Sequence, residues 1–234
     1  MKTFDQYLRV HRAKIALGVL LVVASVVSLA LAVTHILVTS SNAYAFLIFN
    51  LFLAWIPLAA ALVAKAASHN RVTLYLIMPV CTLVWLIFFP NAPYLLTDFQ
   101  HLAQSNSGMP LWYDVLMLIW FAWTGLLLGI VSLAVIHEVV TRTFNRWVGW
   151  LFMLFVIILS SLGIYLGRFL RWNSWDLLKD PLPIARDVAG MVRHPLANMP
   201  TYVFTILFTL LILFIYIAIR LIGGAFQEPA RKDG

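Results

Sequence analysis

The chain has 234 residues, 63% of them hydrophobic and 11% charged, and its mean hydropathy is +0.94. A soluble domain of this length has too little interior to hide so much apolar surface, which excludes a water-soluble globular protein and makes lipid the solvent. The formal net charge is +7, but Lys and Arg cluster beside apolar runs, where they act as topology signals, so no nucleic-acid partner is expected.

In chain order, six stretches approach the roughly 20 apolar residues that a spanning helix needs. They cover residues 15–38, 44–64, 73–89, 112–139, 147–167 and 202–222. The expected fold is all-α: one transmembrane domain over residues 1–234, a polytopic helical bundle with six spans. The start resembles a signal peptide, with Lys2, Arg9, Arg12 and Lys14 before an apolar run and Ala43-Tyr44-Ala45 after it. That run exceeds the roughly 7–15 residues of a signal core, so it is read as a retained span. Pro57 and Pro79 lie inside spans and favour kinks, and Pro90 stops the third and shortest span.

Orientation follows the basic residues. The N-terminus, the 65–71 loop, the 142–146 loop and the 220–232 tail are basic, whereas the 39–43 and 90–111 loops have no Lys or Arg. Both termini are therefore expected in the cytoplasm, in a plasma (inner) membrane. The 168–199 loop breaks the pattern with Arg168, Arg171, Lys179, Arg186 and Arg193, partly balanced by Asp176, Asp180 and Asp187. Tyr44, Trp112, Tyr113, Trp147, Trp150 and Tyr202 suit interfacial belts. Gly125/Gly129 and Gly163/Gly167 are small-xxx-small pairs, expected to pack helices within the chain.

The run FFPNAPYLLTDFQHL at residues 88–102 is the most informative. Asn91 suits an N-cap and Pro93 a first turn, which predicts a short amphipathic helix over 93–102, interfacial or re-entrant. In an α-helix Tyr94, Asp98 and His101 share a polar face, with Leu95, Phe99 and Leu102 on another. Asp98 and His101 have a spacing compatible with an acid–base pair or with two metal ligands, as well as with a plain polar face in water. The second cluster is GRFLRWNSWD at 167–176, where Arg168, Arg171, Trp172 and Trp175 share a face if the fifth helix continues outward. Arginine forks suit carboxylate or phosphate, and tryptophan suits headgroup depth. Beyond it, residues 183–194 form a second interfacial helix, with Ile184, Val188 and Met191 on its apolar face.

These two runs, with Trp112-Tyr113-Asp114 between them, resemble the bacterial membrane-protein family catalogued as domain of unknown function 1361. The resemblance extends from about the second span to the sixth. It implies a multi-span membrane protein and carries over no catalytic residue.

Candidate catalytic residues are Asp98, His101 and Asp114; candidate substrate-binding residues are Asn91, Tyr94, Arg168, Arg171, Asn173, Trp175 and Asp176. If the two long loops meet on one side of the bundle, these residues surround one pocket. No metal site and no cofactor are expected: Cys81 is the sole cysteine, which rules out an intrachain disulfide and a thiolate cage. Asn50 is expected to hydrogen-bond another helix, His35 to be structural, His137 and Glu138 to pair locally with Arg142, and Ser160 and Ser161 to bond their own helix. Three functional classes remain. The leading one is a structural latch or docking site for a protein partner or second copy, with membrane lipids as surroundings. The others are an enzyme acting on a lipid or lipid-linked phosphate, and a small transporter or channel subunit.

Overall fold

The structure is a computed structural model that describes residues 2–68, 71–104 and 108–225, with side chains at 11–68, 75–102 and 108–225. Of the basic topology signals, Lys2, Arg9, Arg71, Arg231 and Lys232 have side chains outside the described residues. The described residues form helices and connections, with no strand. The helices are α1 (Lys2–Thr39), α2 (Phe46–Ala67), α3 (Arg71–Phe88), α4 (Asn91–Tyr94), a 3-10 segment (Leu95–Gln104), α5 (Leu111–Thr143), α6 (Arg146–Phe169), α7 (Asp176–Lys179), α8 (Pro181–Arg193) and α9 (Met199–Ala225). Among the described residues six apolar stretches are long enough to cross a membrane: His11–Thr39, Phe46–Ala67, Tyr75–Leu102, Leu111–Thr143, Arg146–Phe169 and Met199–Ala225. The protein is an all-α, multi-pass integral membrane protein. The chain divides into two compact units, residues 1–135 and 136–234, and each is described by itself.

In the first unit, small polar groups stitch the helices where lipid offers no hydrophobic drive. Trp55 Nε1 of α2 donates to Ser25 Oγ of α1 at 3.0 Å, and Trp85 Nε1 of α3 donates to Ser132 Oγ of α5 at 3.2 Å. Ser28 of α1 and Thr124 of α5 share a hydrogen bond of 3.3 Å. Outward faces stay apolar, as at Val26 and Phe52, which suits contact with acyl chains. Helices α2 and α3 run through Pro57 and Pro79; the break comes only at Pro90.

That break corrects the expected third span. The span does not stop at residue 89 with an interfacial helix after it. Instead α3, α4 and the 3-10 segment form one broken span, Tyr75–Leu102. Gly125 lies fourteen residues into α5, about 21 Å from its start at 1.5 Å per residue. There the chain at Ala92–Leu95 crosses it so closely that a Cβ on Gly125 would lie 2.6 Å from the Ala92 carbonyl oxygen and 2.4 Å from Leu95 Cδ1. The Pro90–Asn91 break is thus deep within the unit, and the 3-10 segment carries the chain back to the end where α2 begins. The Gly125/Gly129 pair packs within the chain as expected, against this broken span: Gly129 faces Ala92 and Pro93.

In the second unit, Asn145 caps α6 by accepting from the Val148 N–H at 2.9 Å. Helices α6 and α9 pack through rings: Tyr165 and Phe169 each meet Phe204, at 5.7 and 5.5 Å between centroids. Helix α8 does present Ile184, Val188 and Met191, but this face is covered by Leu162, Tyr165, Leu166 and Trp172 instead of lying bare in the interface plane.

Candidate functional site

The candidate residues of the first unit gather at the end where α1 finishes and α2 and α5 begin. Asp114 sits in the first turn of α5 and is 1% exposed. His35, one turn before the end of α1, is fully buried, with Nε2 3.4 Å from Asp114 Oδ1. Thr39, next to His35 on α1, donates to the His35 carbonyl at 2.7 Å and lies 3.5 Å from Nδ1. Tyr44 meets the His35 ring edge-on at 5.1 Å; it is 1% exposed, so it belongs to the core and not to an interfacial belt. Tyr113 ties the same two helices by donating to the Leu31 carbonyl at 2.9 Å.

The broken span supplies the rest. A 3-10 register eclipses residues three apart, so Leu95, Asp98 and His101 form one ridge, and the expected α-helical face of Tyr94, Asp98 and His101 does not exist. Nor does the polar face look into water: Asp98 is fully buried. Asn50 Nδ2 reaches Asp98 Oδ2 at 3.4 Å, a long contact that gives Asn50 its expected cross-helix role. Half-buried His101 packs on Phe46 at 4.6 Å, and Phe46 lies 6.3 Å from Tyr44. A line of contacts thus runs Asp114, His35, Tyr44, Phe46, His101. Asn91 is not an N-cap: Pro90 precedes the helix, and Asn91 Nδ2 donates back to the Phe88 carbonyl at 3.0 Å, closing the end of α3. Among the described residues no group of three or more His, Cys, Asp or Glu could hold a metal ion. What the arrangement can do is hold a carboxylate–imidazole pair out of solvent.

The second cluster is arranged differently from the single face expected. Helix α6 ends at Phe169, and Arg171 adopts a left-handed backbone, φ 61°. The chain reverses there, and the Trp172 N–H returns to the Leu166 carbonyl at 3.2 Å. Trp172 Nε1 then donates to Asp187 Oδ2 of α8 at 2.9 Å. Arg168 is half-buried and Arg171 exposed. Asp176 closes a turn on Asn173, accepting from its N–H at 2.8 Å and from Nδ2 at 3.2 Å, while Trp175 is half-buried before α7. A left-handed residue other than glycine carries about 1 kcal/mol of strain. Arg171→Gly is therefore expected to stabilise the protein by about that amount, read as a higher apparent melting temperature in mild detergent. A lower one would mean that contacts of the Arg171 side chain outweigh the strain.

The sequence marks His35 as a structural residue but carries no sign of its pairing with Asp114. The two are separated by α2, α3, α4 and the 3-10 segment, and no spacing rule reports a contact at that distance. His137 was also misplaced. Glu138 does pair with Arg142, at 2.5 Å, but His137 turns to Tyr216 and Arg220 instead. Ser161 bonds the Ile157 carbonyl as expected, whereas Ser160 Oγ is buried without a hydrogen-bond partner.

No curated protein and no solved structure matches the chain. The model of one protein family matches residues 49–215, more than two thirds of the sequence, including the broken span and the GRFLRWNSWD run. On that match the chain, with its six apolar helices, belongs to the family described as "Protein of unknown function (DUF1361)".

Proposed function

We propose that the buried polar groups of the first unit are a structural latch, which holds the outer half of the broken span against α1, α2 and α5 and leaves the 168–176 turn as a docking surface. One observation carries this: Asp98 and Asp114 are at most 1% exposed, and each faces a side chain from another helix. A substrate site needs an approach for its ligand, whereas a latch needs burial and partners. The exposed Arg171 and Asn173 suit a protein partner or a second copy. The loop charges support a plasma (inner) membrane location with both termini cytoplasmic, which puts the latch at the outer end.

The latch predicts that Asp98→Ala lowers the apparent melting temperature of the purified protein and its yield in the membrane. Residues kept for function at the expense of stability behave in the opposite way, and their removal is neutral or stabilising. An Asp98→Ala variant as stable as the wild type would overturn the latch.

A second class, transport, is favoured by the break at Pro90. Interrupted helices are one way in which membrane proteins build ion paths, and the segment that follows this break carries the buried Asp98 carboxylate. Proton or cation flux in proteoliposomes, lost in Asp98→Asn at unchanged stability, would establish it in place of the latch.

A further inference from the structure

A second polar cluster lies in the second unit, at the end where α5 and α9 finish and α6 begins. His137 Nδ1 and Tyr216 OH are 2.6 Å apart, and both side chains are buried. Arg220 Nη1 lies 3.0 Å from His137 Nδ1 and 3.2 Å from the Tyr216 oxygen. A guanidinium only donates, so His137 Nδ1 accepts and the ring proton of the neutral imidazole is on Nε2. Arg220 Cζ also stands 5.5 Å from the centroid of Trp150 and 5.6 Å from that of Tyr216. The His137 ring is backed by Gly149, where a Cβ would come within 3.2 Å of Nε2.

Arg220 is thus held from one side by two hydrogen bonds and two rings, yet the residue is exposed. Among the described residues no carboxylate pairs with it; the neighbouring Glu138 carboxylate is taken by Arg142. A cation this well fixed, with an open side and no counter-charge among the described residues, is complementary to an anion from outside. The planar fork fits phosphate oxygens in pairs, and little side-chain freedom remains to be lost on binding. Its place selects the source. Arg220 follows a long apolar run near the end of α9, against Trp150 of the first turns of α6, and the same helix ends carry exposed Arg142, Arg146 and Trp147, the last 80% exposed. That is the depth at which headgroups meet a protein, and clustered arginines there favour anionic lipid.

The geometry points to Arg220, framed by His137, Trp150 and Tyr216, as a binding site for the phosphate of an anionic phospholipid. The test uses the full chain in mild detergent, titrated with phosphatidylglycerol, phosphatidylcholine or inorganic phosphate, with native mass spectrometry and thermal unfolding as readouts. The wild type is expected to retain phosphatidylglycerol over phosphatidylcholine and to melt higher with it, while inorganic phosphate does neither. Arg220→Gln is expected to weaken phosphatidylglycerol binding about tenfold, the value of one charge-assisted hydrogen bond. Arg220→Lys, which keeps the charge but not the fork, is expected to fall between the two. Arg193→Gln, changed at an exposed arginine of α8 that is not in this cluster, is expected to retain the preference. Equal retention of the two lipids by the wild type would overturn the site, and this comparison decides even if Arg220→Gln does not fold. Unchanged selectivity in Arg220→Gln would also overturn it, reducing Arg220 to an internal clamp. Equal stabilisation by inorganic phosphate would overturn the lipid as the source.

Discussion

His35→Leu and Asp114→Leu, each alone, are expected to destabilise the protein by about 3–5 kcal/mol, whereas the double replacement by leucine is expected to recover most of that loss. The asymmetry follows from burial. His35 Nε2 and Asp114 Oδ1 are 3.4 Å apart, with both residues at most 1% exposed. Removing the imidazole leaves a carboxylate deep among apolar groups without that partner, and removing the carboxylate strands the imidazole in the same way. Either costs the desolvation of the remaining group, which exceeds what the pair contributes when complete. Two leucines leave no polar group to desolvate and roughly fill the same volume. Chemical unfolding of the four proteins in mixed micelles gives the coupling energy directly. If the loss in the double variant equals the sum of the two single losses, the pair is not coupled and the latch loses its central element.

Gly125→Ala is expected to cost about 2–3 kcal/mol, while Gly129→Ala, one turn further along the same helix, is expected to be close to neutral. Both substitutions gain about 1 kcal/mol of helix propensity. At Gly129 the added methyl would sit 3.2 Å from Ala92 Cβ, which a shift of a few tenths of an ångström relieves. At Gly125 it would meet the Ala92 carbonyl oxygen at 2.6 Å as well as Leu95 Cδ1 at 2.4 Å. The leucine can rotate, but the carbonyl belongs to the turn just past the Pro90 break and cannot move without displacing α4. The loss should therefore appear as lower stability and as easier proteolysis of residues 90–104. A Gly125→Ala protein that melts with the wild type would mean that the broken span is not held against α5 at this depth.

The spans were legible because hydrocarbon imposes one rule on every residue, and a run of apolar side chains carries its own evidence. The amphipathic face of α8 was legible for a similar reason: Ile184, Val188 and Met191 repeat at helical spacing. The segment after Pro90 stands out in sequence for its unusual polar residues, but its winding does not. The periodicity of Tyr94, Asp98 and His101 presupposes 3.6 residues per turn, and the chain winds at three. The condition that Arg168, Arg171, Trp172 and Trp175 share a face, a fifth helix continuing outward, fails because the helix ends at Phe169 and Arg171 has a left-handed backbone, although Arg171 looks like any helical residue in sequence. No local signal marks such a reversal when the residue is not glycine.

The amino-acid order by itself determined the medium, the all-α class, the six apolar crossings and which polar residues were out of place in lipid. These are properties of single segments, and each segment meets the bilayer on its own terms. Folding in three dimensions alone decided that the third crossing is broken and continuous with the run after it, that Asp98 faces inward, that His35 meets Asp114, and that His137 and Tyr216 hold Arg220. Those pairings join residues from different helices, and lipid, which dissolves apolar faces equally well in any rotation, does not select among them. Close approach at glycine and the cost of leaving a buried polar group without a partner do.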